Sequence, residues 1–328
     1  MSYDSERYVH PSDRSALAAL KAIPGFSLLT KAFMNFWNEP QYRILNMSTR
    51  IRISEKQMPE YYNMLPPICE KLGIPVPDLY LEQNVVPNAY TYGESNPFIV
   101  ITSGLLKTIP ERLLPTVLAH ECGHIACHHA LYLTMGRIVL SGASSALAAH
   151  VKFGGLLSVP LQIAFYYWMR CSEFSADRAA VLCNGRPEDM QEVCMRLAGW
   201  DKDIPAQADV QEFLQQATNY QEMISGSKWN KALEFMVLSG QSHPLMAVRA
   251  TECGVWAASE AFFRLTHNLP EPPKESKSAA QPEPPAQPSP NQAQADLQER
   301  LQLLDRLLDA GIISAEEYER KRAEWIGE

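Results

Sequence analysis

The chain has 328 residues, 46% of them hydrophobic and 20% charged, the proportions of an ordinary globular protein with a sizeable core. A net charge of −8 offers no basic stripe to neutralise phosphates, which sets nucleic acid aside as a partner. Seven cysteines, at positions 69, 122, 127, 171, 183, 194 and 253, form no C-x-x-C pair, so a structural zinc knuckle is not expected.

Residues 1–50 begin polar and charged, without the basic start, apolar centre and small-residue cleavage site of a secretory leader. With the odd number of dispersed thiols, this predicts a reducing, cytoplasmic setting. The apolar stretch 17–34 is broken by Lys21, Pro24-Gly25 and Lys31, which suits short docking helices. Residues 58–72 read as a helix stopped at Gly73. Short strands follow at 76–82, 86–92 and 97–102, rich in β-branched and aromatic residues between turn signals. The turn Gly93-Glu94-Ser95-Asn96-Pro97 makes the last two a hairpin, and an exposed edge strand there can bind extended peptide through its backbone.

His120-Glu121-Cys122-Gly123-His124 is an H-E-x-x-H pentapeptide set in an apolar helical pattern that runs through Leu113, Leu114, Val117, Leu118, Ala119, Ile125 and Ala126. Residues four apart share a helical face, so His120 and His124 can chelate one zinc ion while Glu121 reaches a water on it. Pro110 and Glu111 suit a helix start, but Pro115 argues that the regular helix begins only there. Gly123 inside a helix costs roughly 1 kcal/mol against alanine, which points to close approach by another backbone. His128 lies eight residues beyond His120. At about 1.5 Å per residue the two are roughly 12 Å apart along the axis, so His128 cannot join them on one ion. His128 and His129 therefore read as solvated or supporting residues rather than ligands.

Two apolar stretches, 138–149 and 153–169, lie beyond this motif. The first is too short to cross a bilayer, and the second is interrupted by Ser158, Pro160 and Gln162 at the bottom of the spanning range of ~17–25 residues. Buried helices or an interfacial hairpin explain both at lower cost, which leaves peripheral membrane contact through 138–169 open.

A catalytic zinc takes three protein ligands, so one is still missing. Arg170-Cys171-Ser172-Glu173-Phe174-Ser175-Ala176-Asp177-Arg178 opens another helical run, with Glu173 and Asp177 on one face. Glu173 can supply the carboxylate of a His2Glu site, and Asp177 can hydrogen-bond a ligating histidine and fix its tautomer. Helical patterns continue over 187–198 and 210–238, followed by Ser242-His243-Pro244, where a histidine before proline sits in an extended or turn conformation. Residues 270–294, rich in Pro, Gln, Ala and Ser, read as a disordered linker. Leu297, Leu301, Leu304 and Leu308 then form a helical stripe that stops at Gly311, and Ser314-Ala315-Glu316-Glu317 caps a second helix through Tyr318 and Trp325.

Five stretches together resemble the HtpX-like zinc metallopeptidases, the family that also holds the CAAX prenyl proteases and periplasmic assembly proteases. They are Leu72-Gly73-Ile74-Pro75 leading to Pro87-Asn88-Ala89-Tyr90-Thr91-Tyr92-Gly93; Ile101-Thr102-Ser103-Gly104-Leu105-Leu106; the pentapeptide; Ser172-Glu173-Phe174-Ser175-Ala176-Asp177; and Ser242-His243-Pro244 with Arg249. The resemblance implies that Asn88, Ala89 and Tyr90 line the substrate cleft. It implies for His243 either a hydrogen bond to the tetrahedral intermediate or a plug of the open zinc position, and for Arg249 a hold on Asp177. A satisfied loop histidine is an equal reading of His243. The tail from 296 to 328 resembles the SHOCT module, a small helical hairpin whose apolar face pairs with itself or with a partner.

The expected architecture is α+β. A helical extension over 1–54 precedes a mainly helical gluzincin-type peptidase domain with a small sheet over 55–269, a disordered linker over 270–295 and the hairpin over 296–328. The expected activity is that of a zinc metalloendopeptidase acting on protein substrates in protein quality control. One ion per chain sits on His120, His124 and Glu173, Glu121 is the general base, and Asp177 and Arg249 support. The rival is a protein-binding quality-control factor with latent proteolysis, motivated by the linker and tail.

Overall fold

The computed structural model describes residues 2–36, 39–93, 95–140, 159–227 and 246–270, with positions 230, 234, 318, 319 and 322. The segments 141–158 and 235–245, which include most of the apolar insert and His243, lie outside the described residues, as do 271–317 with the expected linker and first tail helix. The chain divides after Pro270 into two compact units, of which the first holds every element named here.

The N-terminal segment folds as three short helices, α1 (Pro11–Ala22), α2 (Phe26–Phe36) and α3 (Glu39–Thr49). The break between the first two falls at Pro24-Gly25, with Gly25 at φ 95°. Strand β1 (Ile51–Ile53) follows, an element the sequence pattern did not reveal because three residues are too few to show alternation. The single helix expected over 58–72 is two, α4 (Pro59–Tyr62) and α5 (Leu65–Leu72). Pro66 and Pro67 lack N–H groups to continue a helix but are tolerated in the first turn of a new one. Gly73 closes α5 in the left-handed conformation at φ 68°.

Strands β2 (Asp78–Glu82), β3 (Ala89–Tyr92) and β4 (Phe98–Thr102) fall inside the three expected spans. The sheet order is β1-β2-β4-β3, with β3 and β4 an antiparallel hairpin and β2 parallel to β4. The sheet is mixed because the chain leaving β2 first forms β3 at the edge and then returns as β4 between the two, parallel to β2; α6 (Ser103–Thr108) follows β4. One face packs Ile53, Leu79, Ile99 and Ile101 onto the helical core, while the other gathers Tyr80, Phe98 and Val100 with Tyr42, Tyr90 and Tyr92.

After a short 3-10 turn over Glu111–Leu113, α7 (Leu114–Ala126) carries the pentapeptide, with Pro115 in its first turn. Next come α8 (Ala130–Leu140) and α9 (Val159–Asn184). The end of the second apolar stretch and the charged Glu173 motif thus belong to one 26-residue helix. Among the described residues no helix is long and apolar enough to cross a membrane. Helices α10 (Glu188–Leu197), α11 (Val210–Ser225), α12 (Met246–Ala257) and α13 (Glu260–Thr266) complete the described fold.

Helix α7 is the centre of the main core, buried between β3, α5 and α9. A second cluster joins α1 and α2 to α8 and α9 through Leu20, Phe26, Leu29, Phe33, Phe165 and Trp168. Helices α1 and α2 are therefore packed onto the helix that carries Glu173.

Candidate active site and metal centre

Close contact between α7 and α9 brings the separated motifs together, and Gly123 permits it. A Cβ at that position would lie 2.7 Å from the Ala179 side chain and 3.1 Å from the Ala176 backbone. Ala176 and Ala179 on the small face of α9 meet the glycine, which is the close approach expected from the sequence. Glu173, one turn before Ala176, then lies against His120 and His124, and Asp177, between Ala176 and Ala179, lies against His120.

His120 Nε2 is 3.5 Å from Glu173 Oε2, and His124 Nε2 is 3.5 Å from Glu173 Oε1. One donor atom from each of the three residues lies within 4.8 Å of the others, and all three residues are buried. Zinc bonds of about 2.0–2.2 Å arranged as a tetrahedron place ligand atoms roughly 3.4 Å apart, so this donor set fits the ion in chemistry and spacing. The imidazole rings stand perpendicular, with centroids 4.8 Å apart, so both Nε2 atoms can face one point.

The far side of His120 is held firmly. Its Nδ1 is 2.8 Å from Asp177 Oδ1, a carboxylate that can only accept, so Nδ1 carries the proton and Nε2 keeps its lone pair for a metal. Arg249, from α12, donates from Nε to Asp177 Oδ2 at 2.8 Å and from Nη2 to Oδ1 at 2.6 Å. Its Nη1 reaches Glu173 Oε2 at 3.1 Å. The 3.4 Å approach of Arg249 Nη2 to His120 Nδ1 is then a contact between two donors, not a hydrogen bond.

These charges shift the two imidazoles in opposite directions. Burial works against a charge on His120, but Asp177 and Glu173 prevail and push its pKa up to about 10. His124 moves the other way, down to about 4, through burial and the neighbouring His120, with Glu173 only partly opposing. Asp177 is held below the usual carboxylate range by Arg249 and His120, against the pull of burial.

Glu121 is fixed by a residue that the sequence reading passed over. Thr91 Oγ1, on β3, lies 2.8 Å from Glu121 Oε2 and 3.2 Å from Glu121 O. A hydroxyl has one proton to give, and the charged carboxylate is the stronger acceptor. Strand alternation alone places Thr91 on the same face as Ala89, which was the available signal.

Of the three expected substrate-binding residues, Asn88 is joined to β4, accepting from Thr102 N and donating to Thr102 Oγ1. Antiparallel alternation then directs the N–H and C=O groups of Ala89 and Thr91 to the open edge of the sheet. The Thr91 carbonyl accepts from Arg137 at 2.8 Å. The Tyr90 side chain faces the opposite side, donating to Glu82 at 2.6 Å and accepting from Arg50 at 2.9 Å. His128 is exposed at φ 58°, apart from the ligands, whereas His129 is buried beside His124. His243 lies outside the described residues.

With this geometry established, comparison with known proteins identifies the family. The model of peptidase family M48 matches residues 56–256, and that of the short C-terminal domain, SHOCT, matches residues 299–324. The chain belongs to peptidase family M48. It is 35% identical over 264 residues to the plastoglobule-localized metallopeptidase 48, chloroplastic, of Arabidopsis thaliana, covering 80% of this chain and 75% of that relative. It is 25% identical over 197 residues to a protease HtpX homolog of Methylibium petroleiphilum, covering 54% and 69% respectively. A protease HtpX homolog of Ralstonia pickettii is 27% identical over 194 residues, covering 53% and 67%. No solved structure matches. As an M48 peptidase the chain is a metalloprotease, a hydrolase acting on protein or peptide substrates, and zinc is the family's metal.

Proposed function

We propose that this M48 peptidase is a zinc endopeptidase of protein quality control in which His120, His124 and Glu173 hold the ion. The observation that carries the reading is the shared approach of both Nε2 atoms to one carboxylate, with Glu121 clamped one residue from His120. When bound, zinc supplies a Lewis acid that polarises the scissile carbonyl and acidifies a water. Glu121 accepts the proton of the attacking water on its carboxylate and passes it to the leaving nitrogen. Arg249 and Asp177 keep the His120 lone pair turned inward throughout. The outward groups of Ala89 on the edge of β3 align an extended peptide, which admits varied sequences because the pairing is to backbone. Arg137, on the next outward carbonyl, bounds that edge.

Glu121→Gln tests this reading: the variant is expected to keep one zinc per chain and lose cleavage of an unfolded protein such as casein. Undiminished proteolysis by the variant would overturn it.

Peripheral contact with a lipid surface is a second reading, favoured by the plastoglobule localisation named for the Arabidopsis relative and by exposed Leu28, Met34 and Tyr167 on α2 and α9. Flotation with liposomes checks it, and a chain that stays wholly at the bottom of the gradient rules it out.

A further inference from the structure

A chain of buried polar groups leaves His124 on the side away from Glu173. His124 Nδ1 lies 3.1 Å from His129 Nδ1, and His129 Nε2 lies 2.9 Å from Asp13 Oδ2. Asp13 comes from α1, ahead of the stretch 56–256 that the family model covers. It also accepts from Ser175 Oγ at 2.6 Å and, on its other oxygen, from Trp168 Nε1 at 2.9 Å. His124, His129 and Asp13 are each no more than 2% exposed. Among the described residues no lysine or arginine lies within ion-pairing distance of Asp13, so a carboxylate is buried here on neutral donors and one histidine. Such burial is costly and calls for a reason.

The direction of every proton in this chain follows from Asp13. A carboxylate can only accept, so His129 donates from Nε2. The neutral imidazole then has a lone pair at Nδ1, and the 3.1 Å contact requires His124 to donate from its own Nδ1. That leaves the His124 lone pair on Nε2, the nitrogen facing Glu173. We infer that Asp13 and His129 are positioning residues for the metal centre, dictating through two hydrogen bonds the tautomer in which His124 can bind zinc. The N-terminal helix is then a working part of the centre rather than an appendage. The inference rests on the reading of His124 as a ligand.

Asp13→Asn tests it with a nearly isosteric change. The indole N–H of Trp168 can only donate, so the asparagine oxygen must face Trp168 and its NH2 must face Ser175 and His129. His129 Nε2 would then accept, its Nδ1 would carry the proton, and His124 would be left with its proton on Nε2. The experiment compares wild type, Asp13→Asn, Asp13→Ala and His124→Ala. Zinc affinity is measured by competition with a chromophoric chelator, thermal stability is measured without metal, and the His124 tautomer is read from 15N–1H NMR of the metal-free protein.

The expected result is a loss of zinc affinity of roughly 10–100-fold in Asp13→Asn, with His124 protonated on Nε2. Asp13→Asn should bind zinc no better than Asp13→Ala, although Asp13→Ala, losing more contacts, should melt at the lower temperature. A merely structural Asp13 predicts the opposite order in zinc affinity and an unchanged tautomer. Wild-type affinity in Asp13→Asn together with zinc loss in His124→Ala overturns the inference alone. Wild-type affinity in His124→Ala overturns the ligand reading and the inference with it. Should Asp13→Asn not fold, His129→Leu decides: it removes the acceptor for His124 Nδ1, a comparable loss is expected, and wild-type affinity overturns the inference.

Discussion

Thr91 Oγ1 stands 2.8 Å from Glu121 Oε2, so the strand that ends the sheet and the helix that carries the pentapeptide are joined by one buried hydrogen bond. The same residue offers its carbonyl to Arg137 on the open edge. Thr91 therefore links the Glu121 carboxylate on one helix to Arg137 on the next.

Thr91→Val removes the hydroxyl while keeping a β-branched side chain suited to a strand. A hydrogen bond to a charged group contributes about 1.5–3 kcal/mol, so kcat should fall roughly tenfold or more, with zinc content unchanged and KM little altered. Steady-state kinetics on a quenched fluorescent peptide, with zinc quantified in parallel, measures both. An unchanged kcat would show that Glu121 is oriented by other means.

Gly123→Ala sets two effects against each other. Alanine gains about 1 kcal/mol in helix propensity, but its Cβ would meet Ala179 at 2.7 Å and the Ala176 backbone at 3.1 Å. Backbone cannot turn aside as a flexible side chain can, so α7 and α9 must separate, at a typical cost of 1–3 kcal/mol. The expected outcome is a net loss of stability in urea denaturation together with weaker zinc binding, because both ligand helices move. A more stable variant would mean that the interface yields freely.

Arg249→Met leaves Asp177 and Glu173 as buried carboxylates with no guanidinium between them. Removing one partner of such a buried network costs on the order of 3–5 kcal/mol. Arg249→Lys should rescue little, since a single ammonium cannot reproduce the two-pronged contact with Asp177. Chemical denaturation of the metal-free proteins measures the cost, and a loss below about 1 kcal/mol for Met would contradict this account.

Acid stability carries a signature of Asp13. Burial opposes its charge, yet His129, Ser175 and Trp168 hold its pKa below the usual value. A carboxyl depressed in the folded state contributes stability that is fully present above the unfolded value, about 3.9, and is lost as pH falls through the folded value. Metal-free wild type should therefore lose stability below about pH 4 more steeply than Asp13→Asn, as followed by urea denaturation across pH. Parallel curves for the two proteins would place the acid sensitivity elsewhere.

Much of this site was legible from local spacing. His120 with His124, and Glu173 with Asp177, share helical faces because a separation of four residues is a property of the helix itself. Gly123 announced a close contact by its misfit with helix propensity, and the hairpin at β3 and β4 followed from strand composition and a turn. Strand β1 and the division of α4 from α5 were hidden, the first by brevity and the second because Pro66 and Pro67 leave the apolar spacing of 58–72 unbroken.

What the sequence by itself determined is which candidate residues share a helix face, His120 with His124 and Glu173 with Asp177, because that depends on neighbours within one or two turns. The support of His120 by Asp177, and the hold of Arg249 on Asp177 across 72 residues, were expected from the charged motif and the family resemblance. Only the tertiary structure showed that Thr91 reaches Glu121 across 30 residues and that Asp13 reaches Ser175 across 162. No periodicity encodes such pairings. They exist because α7 is packed on three sides, by β3, α5 and α9, and buried polar groups drawn from distant segments must find one another when water is excluded.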